Sequence, residues 1–320
     1  MTLLKQRDTY QPFLYEPAYH YWLKQQQAHW LHTEIPMEGD VQDWKIKLTD
    51  VEKAVVGGVL KGFVQAEILV NDYWAHNVAQ WFKHPEIGLM ASCFGAMEGI
   101  HTVSYAQLNE TLGLREYEAF LEEPSAKAKI DRLVDIDPDH TSVRDMARSL
   151  AIFSAFTEGV SLFSSFAVLL SFSLQDKLKG VGQIISFSIR DESLHSEAGC
   201  WLFRTLVQEN PDIWDDELKK DIYDAARTTV ILEDNFIDQL FSVGEIERVT
   251  PHDLKQFIRH RCNVKLGDLG LKANWDDIDE EALERMDWFD FLSVGVESQD
   301  FFAQRVSAYS KGNINFDNMW

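Results

Sequence analysis

Between Leu150 and Leu174 the chain carries a single charged residue, Glu158, in 25 positions. A stretch that long and apolar either spans a bilayer or is enclosed on all sides by other helices. A bare carboxylate at mid-bilayer is costly, and the sequence shows neither an aromatic belt nor a second span. A helix buried inside a large bundle is therefore expected, with no membrane association, and Glu158 needs a reason to be there.

Helical periodicity dominates elsewhere, and Gly and Pro are sparse, at 17 and 8 of 320 residues. Val51 to Phe82 reads as one long helix, with Val55, Val56, Val59, Phe63, Ile68 and Leu69 near i, i+3, i+4 spacing. Glu86 to about Leu112 reads as a second. Thr141, Ser142 and Asp145 open a third with capping chemistry, running to about Phe172. A fourth follows Gly180 and Gly182 to about Gln208, and Thr250-Pro251 with Asp253 starts another. There is no useful strand alternation, fixed repeat or low-complexity tract, so the expected fold class is all-α. Residues 1–45, rich in aromatics and proline, are expected to wrap the bundle of residues 46–299 as an irregular arm. Residues 300–320 lose the apolar face and are expected to form a flexible tail. Its Phe316, Met319 and Trp320 are large apolar groups that mark a docking segment.

Charge narrows the partners. Thirty Lys and Arg against 52 Asp and Glu leave a net charge of −22, which repels phosphate backbones and argues against a nucleic-acid partner. Three well-separated cysteines, Cys93, Cys200 and Cys262, argue for a reducing compartment. No basic segment and apolar run opens the chain, so a cytoplasmic location is expected.

Two of the ten histidines follow a glutamate by three residues, Glu98/His101 and Glu192/His195, and both pairs lie in otherwise apolar helical stretches. At this spacing both side chains project from one helix face. Glu67 and Glu158 sit in equally apolar surroundings. A buried ionised carboxylate is expensive unless paired or metal-bound. The chain order Glu, Glu-x-x-His, Glu, Glu-x-x-His is the donor set of a ferritin-like helical bundle with a dinuclear carboxylate site. Oxygen and imidazole donors without thiolates suit iron or manganese, and argue against structural zinc or an iron–sulfur cluster.

The chain resembles the radical-generating small subunit of class I ribonucleotide reductase, from Trp30 to the tail. The most specific segments are Glu98-Gly99-Ile100-His101-Thr102-Val103-Ser104-Tyr105 and Arg190-Asp191-Glu192-Ser193-Leu194-His195. The resemblance implies a dimetal centre (two Mn, two Fe, or Mn/Fe) on Glu67, Glu98, His101, Glu158, Glu192 and His195. It implies that Tyr105 is the radical tyrosine, that Trp30 relays the oxidant outward, and that Asp191 links that tryptophan to His101. Tyr309 resembles the tyrosine that hands the oxidant to the large (alpha) subunit, for which the apolar tail end is the docking peptide. A homodimer and a flavoprotein activator are further implications. The first donor is most often Asp in this family, and Glu67 resembles subgroups that store the oxidising equivalent on manganese-containing centres. Tyr105 points the other way, and Ser188 is polar where a hydrophobe would shield a radical. The alternative reading is a related dimetal oxidase or monooxygenase with its own apolar substrate pocket, which needs neither Tyr309 nor the tail.

Overall fold

The computed structural model describes residues 2–114, 123–134 and 142–293. Thr141, Tyr309 and the expected tail at 300–320 lie outside the described residues. Eleven α-helices carry the architecture of the described residues, which include no strand: α1 Glu16–Gln27, α2 Glu38–Ile46, α3 Asp50–Asp72, α4 Pro85–Leu112, α5 Pro124–Val134, α6 Val143–Ala151, α7 Phe163–Ser171, α8 Lys179–Glu209, α9 Asp216–Leu240, α10 Pro251–Asp268 and α11 Glu280–Glu284.

Local chemistry sets the ends of the long helices. Thr49 and Glu52 form a reciprocal capping box at the start of α3: the Glu52 amide donates to Thr49 Oγ1 (3.2 Å) and the Thr49 amide to Glu52 Oε2 (2.8 Å). Ser142, Asp215 and Thr250 cap α6, α9 and α10 more simply, each with a side-chain oxygen that accepts from the amide three residues on. At the far end of α4, Gly113 takes the left-handed conformation that lets the chain leave the helix. The start of α8 is capped from a distance. Asp40 accepts from the amides of Gly180 and Val181, and Asp43 from that of Leu178, placing two α2 carboxylates at the positive end of a 31-residue helix.

The expected irregular arm is instead largely helical. Pro17 stands in the first turn of α1, which packs along α4, and α2 packs on α8 and α4. Two acids, the buried Glu86 and the half-buried Glu209, pin the approach to α1. Glu86 accepts from the amides of Leu14 (2.8 Å) and Tyr15 (2.9 Å), and Glu209 accepts from the Leu3 amide and the Tyr15 hydroxyl, both at 2.6 Å. Proline and aromatics pointed to an irregular path because such long-range acceptors leave no local pattern. Helices α5, α9 and α11 were not anticipated either.

Two of the expected helices are interrupted. The Val51–Phe82 helix is regular to Asp72, then widens into π-helix over Tyr73–Val78 before a last turn at Ala79–Trp81. The run from Ser142 to Phe172 is not one helix: α6 ends at Ala151, π-helix occupies Ile152–Thr157, and a turn carries Glu158 into α7. The amides of Glu158 and Ser161 reach back five residues, to the carbonyls of Phe153 and Phe156. The two wide segments pack on each other. The Tyr73 and Phe153 rings stack at 3.7 Å, and the Tyr73 hydroxyl lies 2.9 Å from Ser149 Oγ. π-turns insert an extra residue and re-aim the side chains beyond them, which is why they gather at functional sites. Close approach to α8 fixes this break, since a Cβ at Gly199 would overlap the Ser154 side chain. Arg261 on α10 holds the turn by donating to the Gly159 carbonyl through Nε and Nη2 (3.2 and 3.1 Å).

Among the described residues, Asp50–Trp81 is long and apolar enough to cross a membrane by composition, but the core helix of a bundle passes the same test, and much of it is buried here. The Leu150–Leu174 run that raised the question is enclosed, as expected: Phe156, Phe163, Phe166, Leu169 and Phe172 are all at most 1% exposed. Cys93, Cys200 and Cys262 are free.

Candidate metal centre

The helical pairs at i, i+3 bring Glu98 with His101 on α4, and Glu192 with His195 on α8, to the facing sides of two neighbouring helices. Glu67 enters from α3 and Glu158 from the turn that follows the second π-segment. All six side chains are at most 1% exposed. His101 Nδ1 lies 3.0 Å from Glu98 Oε2, 3.1 Å from Glu192 Oε1 and 3.9 Å from Glu67 Oε2, while His195 Nδ1 lies 2.6 Å from Glu98 Oε1.

The donors form two overlapping groups. Glu67, Glu98, His101 and Glu192 offer atoms within 4.8 Å of one another, as do Glu98, Glu158, Glu192 and His195. Glu98 and Glu192 belong to both, so two cations held by these groups would share those two residues.

The surroundings test whether cations fit. Both oxygens of Glu67 and of Glu192, Glu98 Oε1, Glu158 Oε2 and His195 Nδ1 are buried without a hydrogen-bond partner. The 2.6 Å approach of His195 Nδ1 to Glu98 Oε1 is among them, so two electron-rich atoms face each other without a proton geometry between them. Unsatisfied buried acceptors of this number are not tolerated in a folded core unless something positive meets them. The electrostatics agree. Burial, then the Glu98 charge, pushes Glu67 well above the usual carboxylate range, and burial with Glu192 does the same to Glu158. Glu192 is raised to about 8 by burial and Glu98. Burial would also raise Glu98, but the two imidazoles, His195 ahead of His101, hold it far below that range. Burial would lower both histidines, but Glu98 together with Asp191, joined by Glu192 at His101 and by Glu158 at His195, raises them. Four carboxylates and two imidazoles match the charge and donor preference of two divalent cations.

Behind the donors, the outer ring nitrogens are held. His101 Nε2 is 3.2 Å from Asp191 Oδ2, and Trp30 Nε1 donates to that same oxygen over 2.8 Å. Gln25 joins the two histidines: its Nε2 donates to Asp191 Oδ1 (2.9 Å) and its Oε1 faces His195 Nε2 (3.1 Å). With Nε2 protonated toward these acceptors, both Nδ1 lone pairs face the carboxylates. The Trp30 ring stacks on His101 with centroids 6.0 Å apart and rings at 28°.

Tyr105, one turn beyond His101, is fully buried, with its ring centroid 6.2 Å from the imidazole and 4.7 Å from Phe63, which in turn packs on Phe166. Its hydroxyl has no hydrogen-bond partner, and burial followed by the Glu67 charge raises the phenol well above its usual range, with His101 opposing them.

The structure thus brings Glu67, Glu98, His101, Glu158, Glu192, His195, Tyr105, Trp30 and Asp191 to one place. Sequence reading missed Gln25 and Trp74, whose Nε1 donates to Glu158 Oε1 over 2.6 Å. Trp74 had a signal, an indole inside a helix that also carries a donor. Gln25, one of three successive glutamines, had none.

The chain matches the family model for the ribonucleotide reductase small chain over residues 7–281. It is 34% identical to the probable ribonucleoside-diphosphate reductase small subunit of Invertebrate iridescent virus 3, across 99% of this chain and 88% of that one. It is 27% identical to the ribonucleoside-diphosphate reductase subunit beta of Chlamydia pneumoniae, across 95% and 91%. Among solved structures, dimanganese(II)-NrdF of Streptococcus sanguinis superposes with a TM-score of 0.76 at 23% identity, covering 88% of this chain and 99% of that one. The ribonucleotide reductase R2 subunit of Clostridium botulinum gives 0.79 at 18%, covering 92% and 94%. A ferritin-like bundle with a buried carboxylate–histidine cluster is the fold and site of a dimetal protein, and this chain belongs to the small-subunit family of class I ribonucleotide reductase. Its activity is that of a ribonucleoside-diphosphate reductase small subunit, which works with a large subunit.

Proposed function

We propose that Glu67, Glu98, His101, Glu158, Glu192 and His195 hold two ions drawn from iron and manganese, and that the oxidising equivalent made there leaves through Trp30. The observation that carries this reading is the pair of four-donor groups sharing Glu98 and Glu192. When bound, the metals would supply one-electron oxidising power from dioxygen or a reduced oxygen species, and the rest is the chain's own work. Apolar helices keep water and reductants away from six polar donors. Asp191 and Gln25 fix the histidine tautomers. Tyr105, protonated and without a partner, is the side chain placed to hold a one-electron hole. The hydrogen-bonded line His101, Asp191, Trp30 leads from the cluster into α1 and the segment after it.

Beyond the described residues, Tyr309 and the apolar end of the tail complete the route to the large subunit. A homodimer, a flavoprotein activator and a cytoplasmic setting belong to the same reading. The length of Glu67 favours a manganese-containing centre, and the dimanganese state of the Streptococcus sanguinis protein is a precedent for that metal in this fold.

Elemental analysis with electron paramagnetic resonance tests it on protein matured with iron, manganese or both. About two ions per chain are expected. An organic signal lost in Tyr105→Phe places the hole on the tyrosine, and a manganese-split signal that survives that change places it on the metals. A chain that binds neither metal overturns the reading.

A further inference from the structure

We propose that an apolar cavity behind Glu67 and Glu158 admits a small neutral molecule, of the size and polarity of dioxygen, to the metal centre. This deepens the function proposed above and rests on it. The cavity holds about 50 Å³. That is a few times what one water needs, enough for a diatomic gas and too little for a nucleotide or a long aliphatic chain.

Its placement ties it to the centre. Phe63, Ala66 and Val70 line it from α3, standing four before, one before and three after Glu67, and Thr157 lines it immediately before Glu158. Phe63 also packs on Tyr105, so one ring separates the cavity from that phenol. The opposite flank of the cluster is closed, because both outer histidine nitrogens are engaged by Asp191 and Gln25, with Trp30 stacked over His101. The remaining lining comes from α3, α5, α9, Ile152 in the second π-segment, and the turn into α7 as far as Ser165.

Three charged side chains line the cavity, and none is free: Lys129 pairs with Glu233, and Arg132 is engaged as well. Lys129 Nζ lies 2.6 Å from Glu233 Oε1, donates to the Ser161 carbonyl (2.9 Å) and sits 4.3 Å over the Phe236 ring. Ser164 Oγ donates to the other Glu233 oxygen over 2.6 Å. These contacts fasten α5 to α9 and to the turn after Glu158, and the lysine is neutralised within the wall. A space of this lining takes an apolar gas more readily than a hydrated anion. The proposal covers admission only and includes no chemical step.

Two measurements on the full chain test it. Xenon-pressurised crystals of the metal-free protein should show xenon between Phe63, Val70 and Phe236. Ser165→Leu, which fills the space, should exclude it. In ferrous-loaded protein the same variant should slow dioxygen-dependent oxidation about tenfold while iron binding is unchanged. Thr229→Leu, from α9, serves the same purpose if Ser165→Leu does not fold. Absence of xenon, a cavity filled by ordered water or an aliphatic molecule, or a filled variant that binds iron and oxidises at the parent rate would each overturn the proposal. Because the xenon arm needs no metal, a chain that takes up xenon but binds neither iron nor manganese overturns the metal-centre reading and this one with it. Normal iron binding without xenon overturns this one alone.

Discussion

Trp30 and His101, 71 positions apart in the chain, meet at one carboxylate oxygen: Asp191 Oδ2 accepts from Trp30 Nε1 at 2.8 Å and lies 3.2 Å from His101 Nε2. The indole is thereby coupled to a candidate ligand without touching the carboxylate cluster. Trp30→Phe keeps an aromatic ring and removes the donor. Metal content and oxidation in the isolated chain should stay at the parent level, whereas turnover with the large subunit is lost. Asp191→Asn should lower metal affinity or turnover by roughly 10–100-fold, because it disturbs the tautomer of His101 as well. Parallel assays of metal content and turnover separate the two outcomes.

The shared donors and the end donors should behave differently on removal. Glu98→Ala or Glu192→Ala takes a carboxylate from both groups, so both ions are expected to be lost. Glu67→Ala or Glu158→Ala touches one group each, and roughly one ion in two should remain. Inductively coupled plasma mass spectrometry after dialysis reads the ratio. Equal loss in all four variants would contradict a shared role for Glu98 and Glu192.

Acidity should act in opposite directions on the empty and loaded proteins. Glu67, Glu158 and Glu192 hold their protons above the usual carboxylate range, Glu192 up to about 8, whereas an unfolded glutamate releases its proton near 4.5. Between these values the metal-free fold binds more protons than the unfolded chain, so its stability falls as pH rises. The raised imidazoles of His101 and His195 add to the same trend. Glu98 and Asp191, held low, contribute stability that is lost only below this window. Metal ions displace these protons, so metal affinity should climb over the same interval. Scanning calorimetry with and without a chelator should show the gap in Tm widening from about pH 5 to about pH 8.

Attachment of the arm should depend on Glu86, which is fully buried and satisfies two backbone amides of residues that approach α1. Glu86→Ala leaves both amides without their acceptor and should cost about 1–3 kcal/mol. Hydrogen exchange should rise first across residues 13–27, with α8 still protected. Uniform loss of protection would instead mean that the arm and bundle unfold as one unit.

The chain order of donors, their helical spacing and the apolar company of each carboxylate were all legible in the sequence, because helix periodicity reports which side chains share a buried face. The all-α class and the starts at Ser142 and Thr250 followed from equally local chemistry. Tertiary structure decided what depends on meeting between distant segments. It set which carboxylates are shared, widened the backbone at Tyr73–Val78 and Ile152–Thr157, and placed Glu158 on a turn where its apolar neighbourhood read as unbroken helix. It also turned the arm into helix and gave Gln25 two partners, Asp191 and His195, that lie 166 and 170 residues away. A hydrogen bond across that distance leaves no period and no motif. Only the packing of α1 and α8 against α4 supplies it.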